Sequence, residues 1–328
     1  MFTLNNMPPV TNKVQAKAPA INVQPIKALP KPKVIVILGP TASGKSALAI
    51  HLAQQFRGEI VSADSRHVYK HFNIGTNKIT ADELKAVPHY LIDISEPTEQ
   101  IYLPDYQRMA FESIDTILQH QKLPLLVGGT GLYLSAVIDN YQIPNVAPQP
   151  KLREELEKLT TDELIFRLKK VDPEGSQLIY QNNRLKLIRA IEFSEITGRG
   201  FLTSQATAEP KHDYLVIGIE VDRELLYSRI NGRVQEMLKR SLEDEVKQLS
   251  GTYGWDCPAM LSIGYREWKD YFAGTKTKEQ VIAEIQQDTR NYSKRQMTWF
   301  WRMEKKRPIQ WVNNETEAKT VILKFLDS

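Results

Sequence analysis

The sequence predicts an α/β fold: a parallel sheet flanked by helices, with an all-helical insertion. Three observations carry this. The unbroken apolar run Val34–Leu38 passes straight into a glycine-rich loop and then a helix-period pattern. Two later apolar runs end in chemically distinctive turns, at Asp64 and at Gly128. Between Lys151 and Thr197 the periodicity is that of helices alone. A strand buried on both faces of a parallel sheet reads as continuous apolarity, which suits the first run.

Bulk properties narrow the class. With 43 basic and 39 acidic side chains the formal charge is only +4, so any nucleic-acid contact must come from local clustering. Cys257 is the one cysteine, which excludes an internal disulfide and a cysteine-rich zinc site. No apolar run approaches the roughly 18–20 residues needed to span a bilayer. The expectation is a soluble, cytoplasmic protein with no membrane partner.

Residues 1–33 hold six prolines, several lysines and no acidic side chain. They lack a signal-type apolar core and any arginine, so they read as a disordered tail rather than a targeting or RNA-tethering segment. Order is expected from Val34. After the first strand, Gly39-Pro40-Thr41-Ala42-Ser43-Gly44-Lys45-Ser46 matches GxxxxGK[ST] between strand and helix, the context that confirms a phosphate-binding loop. Gly39 and Gly44 let backbone amides turn around an anion, and the helix N-terminus adds its positive dipole end. Lys45 supplies a point charge, and the Ser46 hydroxyl can ligate Mg²⁺.

The next strand, Glu59 to Ala63, runs into Asp64-Ser65-Arg66-His67. Ligands of open α/β sheets sit at the carboxyl ends of strands, so Asp64 is expected near the reacting centre, as general base, metal ligand or helix cap. A further strand, Leu123 to Val127, enters Gly128-Gly129-Thr130 where many nucleotidases carry a metal-holding aspartate. Asp93 is another candidate for that role. The glycine pair also fits a plain strand-to-helix turn.

The middle segments Lys151–Leu159, Thr161–Lys170 and Asn183–Thr197 read as helices, entered through a proline-rich stretch from Pro144 to Pro150. The strand Tyr214–Glu220 then returns to the sheet, and Arg223–Leu249 reads as one long amphipathic helix. Arg290 to Arg302 interleaves basic and aromatic side chains, suiting phosphate contact and base stacking. Trp299 is expected to pack, with Lys294, Arg295 and Gln296 toward RNA. Trp301 and Lys305-Lys306-Arg307 read as solvated surface.

These motifs together resemble the tRNA dimethylallyltransferase family. The likeness rests on the phosphate-binding loop, Ser62-Ala63-Asp64-Ser65, Asn73 to Lys78, Pro88 to Asp93 and Val127 to Tyr133. It continues through Arg189-Ala190-Ile191-Glu192, Gly264-Tyr265-Arg266-Glu267 and Lys294 to Trp299. It implies a P-loop NTPase-like core over 34–143 and 200–328, with 144–199 clamping the tRNA anticodon stem-loop. The implied reaction moves a dimethylallyl group from dimethylallyl diphosphate, with Mg²⁺, to the adenosine 3′ of the anticodon, position 37. The implied tRNAs read codons beginning with U, and the implied state is monomeric.

By the same resemblance Gly39, Pro40, Thr41, Ala42, Ser43, Gly44, Lys45 and Ser46 bind the donor's diphosphate. Asp64 is the general base, with Thr130 beside the target nucleotide and Arg233 on the diphosphate. Arg229 and Arg233, one helical turn apart, also fit a solvated helix face. Implied tRNA contacts are Asp64, Ser65, Arg66, His67, Thr130, Arg153, Leu185, Lys186, Leu187, Ile188, Arg189, Gly264, Tyr265, Arg266, Lys294, Arg295 and Gln296. An adenylate isopentenyltransferase would share the donor pocket but has no need of the helical insertion. A small-molecule kinase would need ATP and a lid of arginines, and a non-enzymatic RNA-binding module leaves Lys45 beside Asp64 unexplained.

Overall fold

A computed structural model describes residues 30–143, 146, 149–178, 183–201 and 207–328. The expected N-terminal tail falls almost wholly outside them, as does most of the proline-rich stretch from 144 to 148. The first half of the core runs β1 (Lys33–Leu38), α1 (Lys45–Gln55), β2 (Gly58–Ser62), α2 (Ala81–Ala86), β3 (His89–Tyr90), α3 (Leu103–Gln119), β4 (Leu123–Gly128) and α4 (Gly131–Ile138). Four helices follow: α5 (Pro150–Glu157), α6 (Thr161–Val171), α7 (Pro173–Leu178) and α8 (Arg184–Thr197). The chain then returns through β5 (Asp213–Ile219), α9 (Arg223–Lys239), α10 (Leu242–Tyr253), α11 (Lys269–Phe272), α12 (Lys278–Glu304), β6 (Gln310–Val312) and α13 (Glu315–Asp327).

The strands lie in the order β3-β2-β4-β1-β5-β6, and each neighbouring pair is parallel. Alternation explains the unbroken apolarity of β1. Val34, Val36 and Leu38 enter the core under α3, α4 and α12, whereas Ile35 and Ile37 enter the opposite core under α1 and α13. Both sets are fully buried, so neither face tolerates a polar side chain.

Order begins earlier than Val34. Lys33 opens β1, and Lys31 pairs with Glu209 at 2.6 Å. The short strands β3 and β6 carry too little pattern to be read from sequence. The expected long helix 223–249 is two helices, broken at Arg240-Ser241, where Ser241 adopts φ +64°. The break re-aims the second stripe, so that Leu242, Val246 and Leu249 join Trp268 and Tyr265 in a third core.

Helices α5–α8 pack about their own apolar cluster, built on Leu156, Leu164, Leu168, Leu187, Ile188 and Ile191. Their ends carry the expected signals. Thr160 and Glu163 form a capping box at the start of α6, and Gly198 ends α8 at φ +66°. The segment leading into them is tied down by Glu192. This fully buried carboxylate accepts from the Gln149 amide (2.6 Å), from Arg153 (2.9 Å) and from Arg189 (2.5 Å).

Two glycine positions separate packing from backbone entropy. A Cβ at Gly128 would sit 2.1 Å from the Ala63 carbonyl oxygen, whereas one at Gly232, on the exposed face of α9, meets nothing within 4 Å. Gly128→Ala is expected to cost about 1–3 kcal/mol in urea unfolding. Gly232→Ala is expected to gain about 0.5–1 kcal/mol.

Candidate active site

Strand order decides which loops meet. The carboxyl ends of β1, β2 and β4 are adjacent, so the phosphate-binding loop, Asp64–His67 and Gly128–Thr130 converge at one edge of the sheet. Gly44 holds φ +94° at the N-cap of α1, a conformation open to glycine at little cost. The first-turn amides of α1 have no acceptor inside the helix and face outward from its N-terminus.

Two cavities open here, of about 230 Å³ and 270 Å³. Both are lined by Thr41, Lys45, Asp64, Thr76, Asn77 and Arg233. The first continues over Ser46 and Ser62 to apolar Ile60, Ile79 and Val127. The second continues over Arg66, Gly264, Arg266, Tyr292 and Arg295, with exposed Leu261 in its wall. Asp64 therefore sits where an anion-binding cavity meets a basic and aromatic one.

The charges at this junction are only partly neutralised. Burial lowers the Lys45 ammonium to about 8, against the pull of Asp64 and with the push of Arg233. Among the described residues its Nζ reaches only the Pro40 carbonyl, at 3.4 Å. Arg233 donates from Nη1 to the Thr41 hydroxyl at 3.1 Å, and burial lowers its pKa too. Burial works to raise the Asp64 carboxyl, but His67, Lys45 and the Arg66 amide outweigh it and hold it below the ordinary range. Asp64 is thus an ionised carboxylate. Its Oδ1 accepts the Arg66 amide at 2.9 Å in a local turn, so it caps no α-helix.

The Thr130 hydroxyl accepts the Ser65 amide at 3.0 Å, joining the second loop to the third. Tyr292, one turn before Gln296 on α12, is raised to about 12 by burial and by Asp64, with the Thr130 hydroxyl pulling the other way. The segment Gly75–Asn77, which walls both cavities, is held from behind. Glu245 accepts the Ile74 amide (2.9 Å) and the Tyr265 hydroxyl (2.6 Å), and that hydroxyl accepts the Gly75 amide (3.0 Å).

Burial and pairing bear on several expected contacts. Leu187 and Ile188 are buried inside the α5–α8 cluster and offer RNA no side-chain surface, whereas Leu185 is 79% exposed. Tyr265 is fully buried, because it anchors the 73–78 segment. Gln296 is also buried: its Oε1 accepts the Thr41 amide (2.8 Å) and its Nε2 donates to the Gly129 carbonyl (2.9 Å). Lys294 and Arg295 beside it are exposed. Arg153 and Arg189 are committed to Glu192, and Arg266 pairs with Glu267 and Asp288. Asp93 pairs with Lys78 at 2.5 Å and lines neither cavity. Arg233 faces the junction while Arg229 stays exposed one turn away. Trp299 packs as expected, donating to the Ser135 hydroxyl at 3.0 Å. Arg307 is more than solvated surface, since it pairs with Asp139.

Tyr292 and Asn77 line the cavities from stretches that the sequence marked without giving either residue a role, and Glu245 lies in no stretch marked for a site. Helix periodicity could have put Tyr292 on the Gln296 face, but nothing local marks Glu245 as anything but a solvated helix residue.

Residues 67–304 match the family model described as IPP transferase. The chain is 40% identical over 303 residues to the tRNA dimethylallyltransferase of Bacillus cytotoxicus, covering 90% of this chain and 95% of the relative. The fold matches the full-length tRNA isopentenylpyrophosphate transferase of Bacillus halodurans with a TM-score of 0.67 at 36% identity, covering 90% and 96% of the two chains. A eukaryotic dimethylallyltransferase acting on tRNA matches with a TM-score of 0.77 at 29% identity, covering 86% and 74%.

Anion binding at Lys45 carries a pH signature. The ammonium must be protonated to attract an anion, and in the free protein it loses its proton as pH rises through about 8. Inorganic diphosphate should therefore bind wild type more tightly than Lys45→Met below pH 8. Above it that advantage should shrink by up to about tenfold per pH unit. Calorimetric titration at several pH values checks this, and ionisation of the diphosphate cancels in the ratio.

Proposed function

The chain belongs to the IPP transferase family, and from that premise we propose how it moves a dimethylallyl group onto tRNA. The donor is dimethylallyl diphosphate. The acceptor is the N6 amine of the adenosine 3′ of the anticodon, position 37, in tRNAs reading codons that begin with U. The observation that carries the proposal is the position of Asp64, where the two cavities meet.

The donor's diphosphate lies in the first cavity, against Lys45, Arg233, the Ser46 hydroxyl and the first-turn amides of α1. Its five-carbon chain finds apolar wall at Ile60, Ile79 and Val127. The target adenine leaves the anticodon stack, as base-modifying enzymes require, and enters the second cavity beside Tyr292 and Thr130. Leu185, Lys186, Lys294 and Arg295 meet the RNA outside, and α5–α8 clamp the anticodon stem-loop.

An exocyclic amine conjugated to a purine is a weak nucleophile, so removing its proton as the bond forms lowers the barrier. N6 attacks the donor's C1, the C1–oxygen bond breaks, and the N6 proton passes to Asp64. Diphosphate departs with the bond's electron pair. Lys45 and Arg233 stabilise the charge it gains, in a pocket too dry to screen them fully. Because Asp64 is held ionised, it is ready as a base over the whole neutral range.

Mg²⁺ fits the donor set. Among the described residues no three His, Cys, Asp or Glu side chains cluster to form a protein cage. Mg²⁺ asks for none, since it commonly takes one or two protein oxygens with the rest from water and substrate phosphates. The Ser46 hydroxyl would hold it, and the ion would neutralise charge on the leaving diphosphate. Among the described residues no helix is long and apolar enough to cross a membrane. We place its work in the cytoplasm, as a monomer.

Transfer of radiolabelled dimethylallyl to unmodified tRNA, to AMP and to no acceptor tests the proposal. Label is expected on tRNA only, and only with Mg²⁺. Asp64→Ala should lose at least about a hundredfold in kcat while still binding tRNA, in line with loss of a general base. Label on AMP would move the acceptor to a free nucleotide, and undiminished transfer by Asp64→Ala would remove the base.

A further inference from the structure

Helix α12 presents three side chains in a row to the active-site loops. Tyr292, Gln296 and Trp299 stand at i, i+4 and i+7, one face of a helix. Tyr292 faces Thr130. Trp299 lies against Gly131, where an added Cβ would come within 2.3 Å of its ring, and it holds Ser135. Gln296 takes one hydrogen bond from the phosphate-binding loop and gives one to the Gly129 carbonyl. Its two neighbours, Lys294 and Arg295, lie in solvent on the same turn.

The Thr41 amide is the informative partner. In a loop built to wrap an anion, its amides compete to point inward. Here one of them is turned instead onto a buried side chain from a helix 255 residues away. The same side-chain amide fixes the loop that ends β4, and the two loops approach so closely that a Cβ on Gly129 would lie 3.4 Å from the Gly39 carbonyl. A carboxamide accepts through its oxygen and donates through its nitrogen without carrying charge, whatever the pH.

We infer that Gln296, in the wall of the second cavity, is a positioning residue: it sets the phosphate-binding loop against the Gly129–Thr130 loop, and so aligns leaving diphosphate with the acceptor. The inference rests on the proposed function for its meaning in catalysis, but its primary readout does not require transfer. Glycine at 129 is part of the device, because an added Cβ would sit 2.2 Å from the Gln296 Nε2 and push the amide away.

The test measures affinity for inorganic diphosphate and for an unmodified anticodon stem-loop in four full-length proteins: wild type, Gln296→Met, Gln296→Glu and Gly129→Ala. Gln296→Met keeps the volume and removes both hydrogen bonds. It should weaken diphosphate binding and raise the donor KM by about tenfold, the order expected when buried hydrogen bonds are lost, with stem-loop affinity within twofold of wild type. Gly129→Ala leaves α12 unchanged and should weaken diphosphate similarly, which keeps the test decisive where the Met variant fails to fold. A protonated Glu at 296 can both accept from Thr41 and donate to Gly129, whereas its carboxylate can only accept. Gln296→Glu should therefore bind diphosphate more tightly than Gln296→Met at low pH and lose that advantage as pH rises.

Unchanged diphosphate affinity in Gly129→Ala and in a folded Gln296→Met would overturn the inference. So would equal affinity of the Glu and Met variants at low pH. Loss of stem-loop binding with diphosphate binding intact would return Gln296 to the RNA surface. A wild type whose diphosphate affinity depends on Gln296 yet which transfers nothing to tRNA would sink the proposed function and leave the positioning role standing.

Discussion

Two cations and one carboxylate share a pocket that water reaches only in part, and the site depends on their not cancelling one another. Among the described residues Lys45 forms no ion pair, and its ammonium hydrogen-bonds only to the Pro40 carbonyl. Burial makes that charge costly, which is why its pKa falls to about 8. On the proposed function an arriving diphosphate would relieve the cost, so part of its binding energy would come from the free protein's own strain. Asp64 gains the opposite benefit: neighbouring positive charge keeps it ionised although it is enclosed. In the proposed reaction, the arrangement that attracts the leaving group therefore also keeps the base unprotonated.

Holding such a cluster open requires a frame. Parallel pairing of β1 with β4 and of β4 with β2 brings the three loops to one edge, and the close approach of Gly128 to Ala63 lets them meet. Helix α12 braces the loops from one side through Tyr292, Gln296 and Trp299. Glu245 and Tyr265 brace the Gly75–Asn77 wall from another. Together these contacts decide where Asp64 and Lys45 stand.

Chemistry carried on a short contiguous stretch was legible in the sequence. The phosphate-binding loop, the Asp64 turn and the Gly-Gly-Thr turn each follow an apolar strand, and local order alone puts them at strand ends. What was not legible depends on burial from distant parts of the chain. Gln296 and Tyr265 sit in basic or polar company that reads as an RNA surface, and only the packed helices reveal them as internal. Leu187 and Ile188 share a stretch with exposed Leu185, and a helix phase misjudged by one residue exchanges the two faces. The break at Ser241 carries no glycine or proline, so the amphipathic pattern runs through it unmarked. Strand β6 is three residues long, and its identity comes from pairing with β5.

The most direct measurement is a structure of the protein holding an unreactive diphosphate analogue of the donor together with an unmodified anticodon stem-loop. The expected result has the diphosphate against Lys45 and Arg233 and the adenine in the cavity beside Tyr292. Its N6 should lie within about 3 Å of an Asp64 oxygen, the reach a general base needs. An adenine bound outside that cavity, or an N6 turned away from Asp64 with the diphosphate correctly seated, would contradict transfer through this junction.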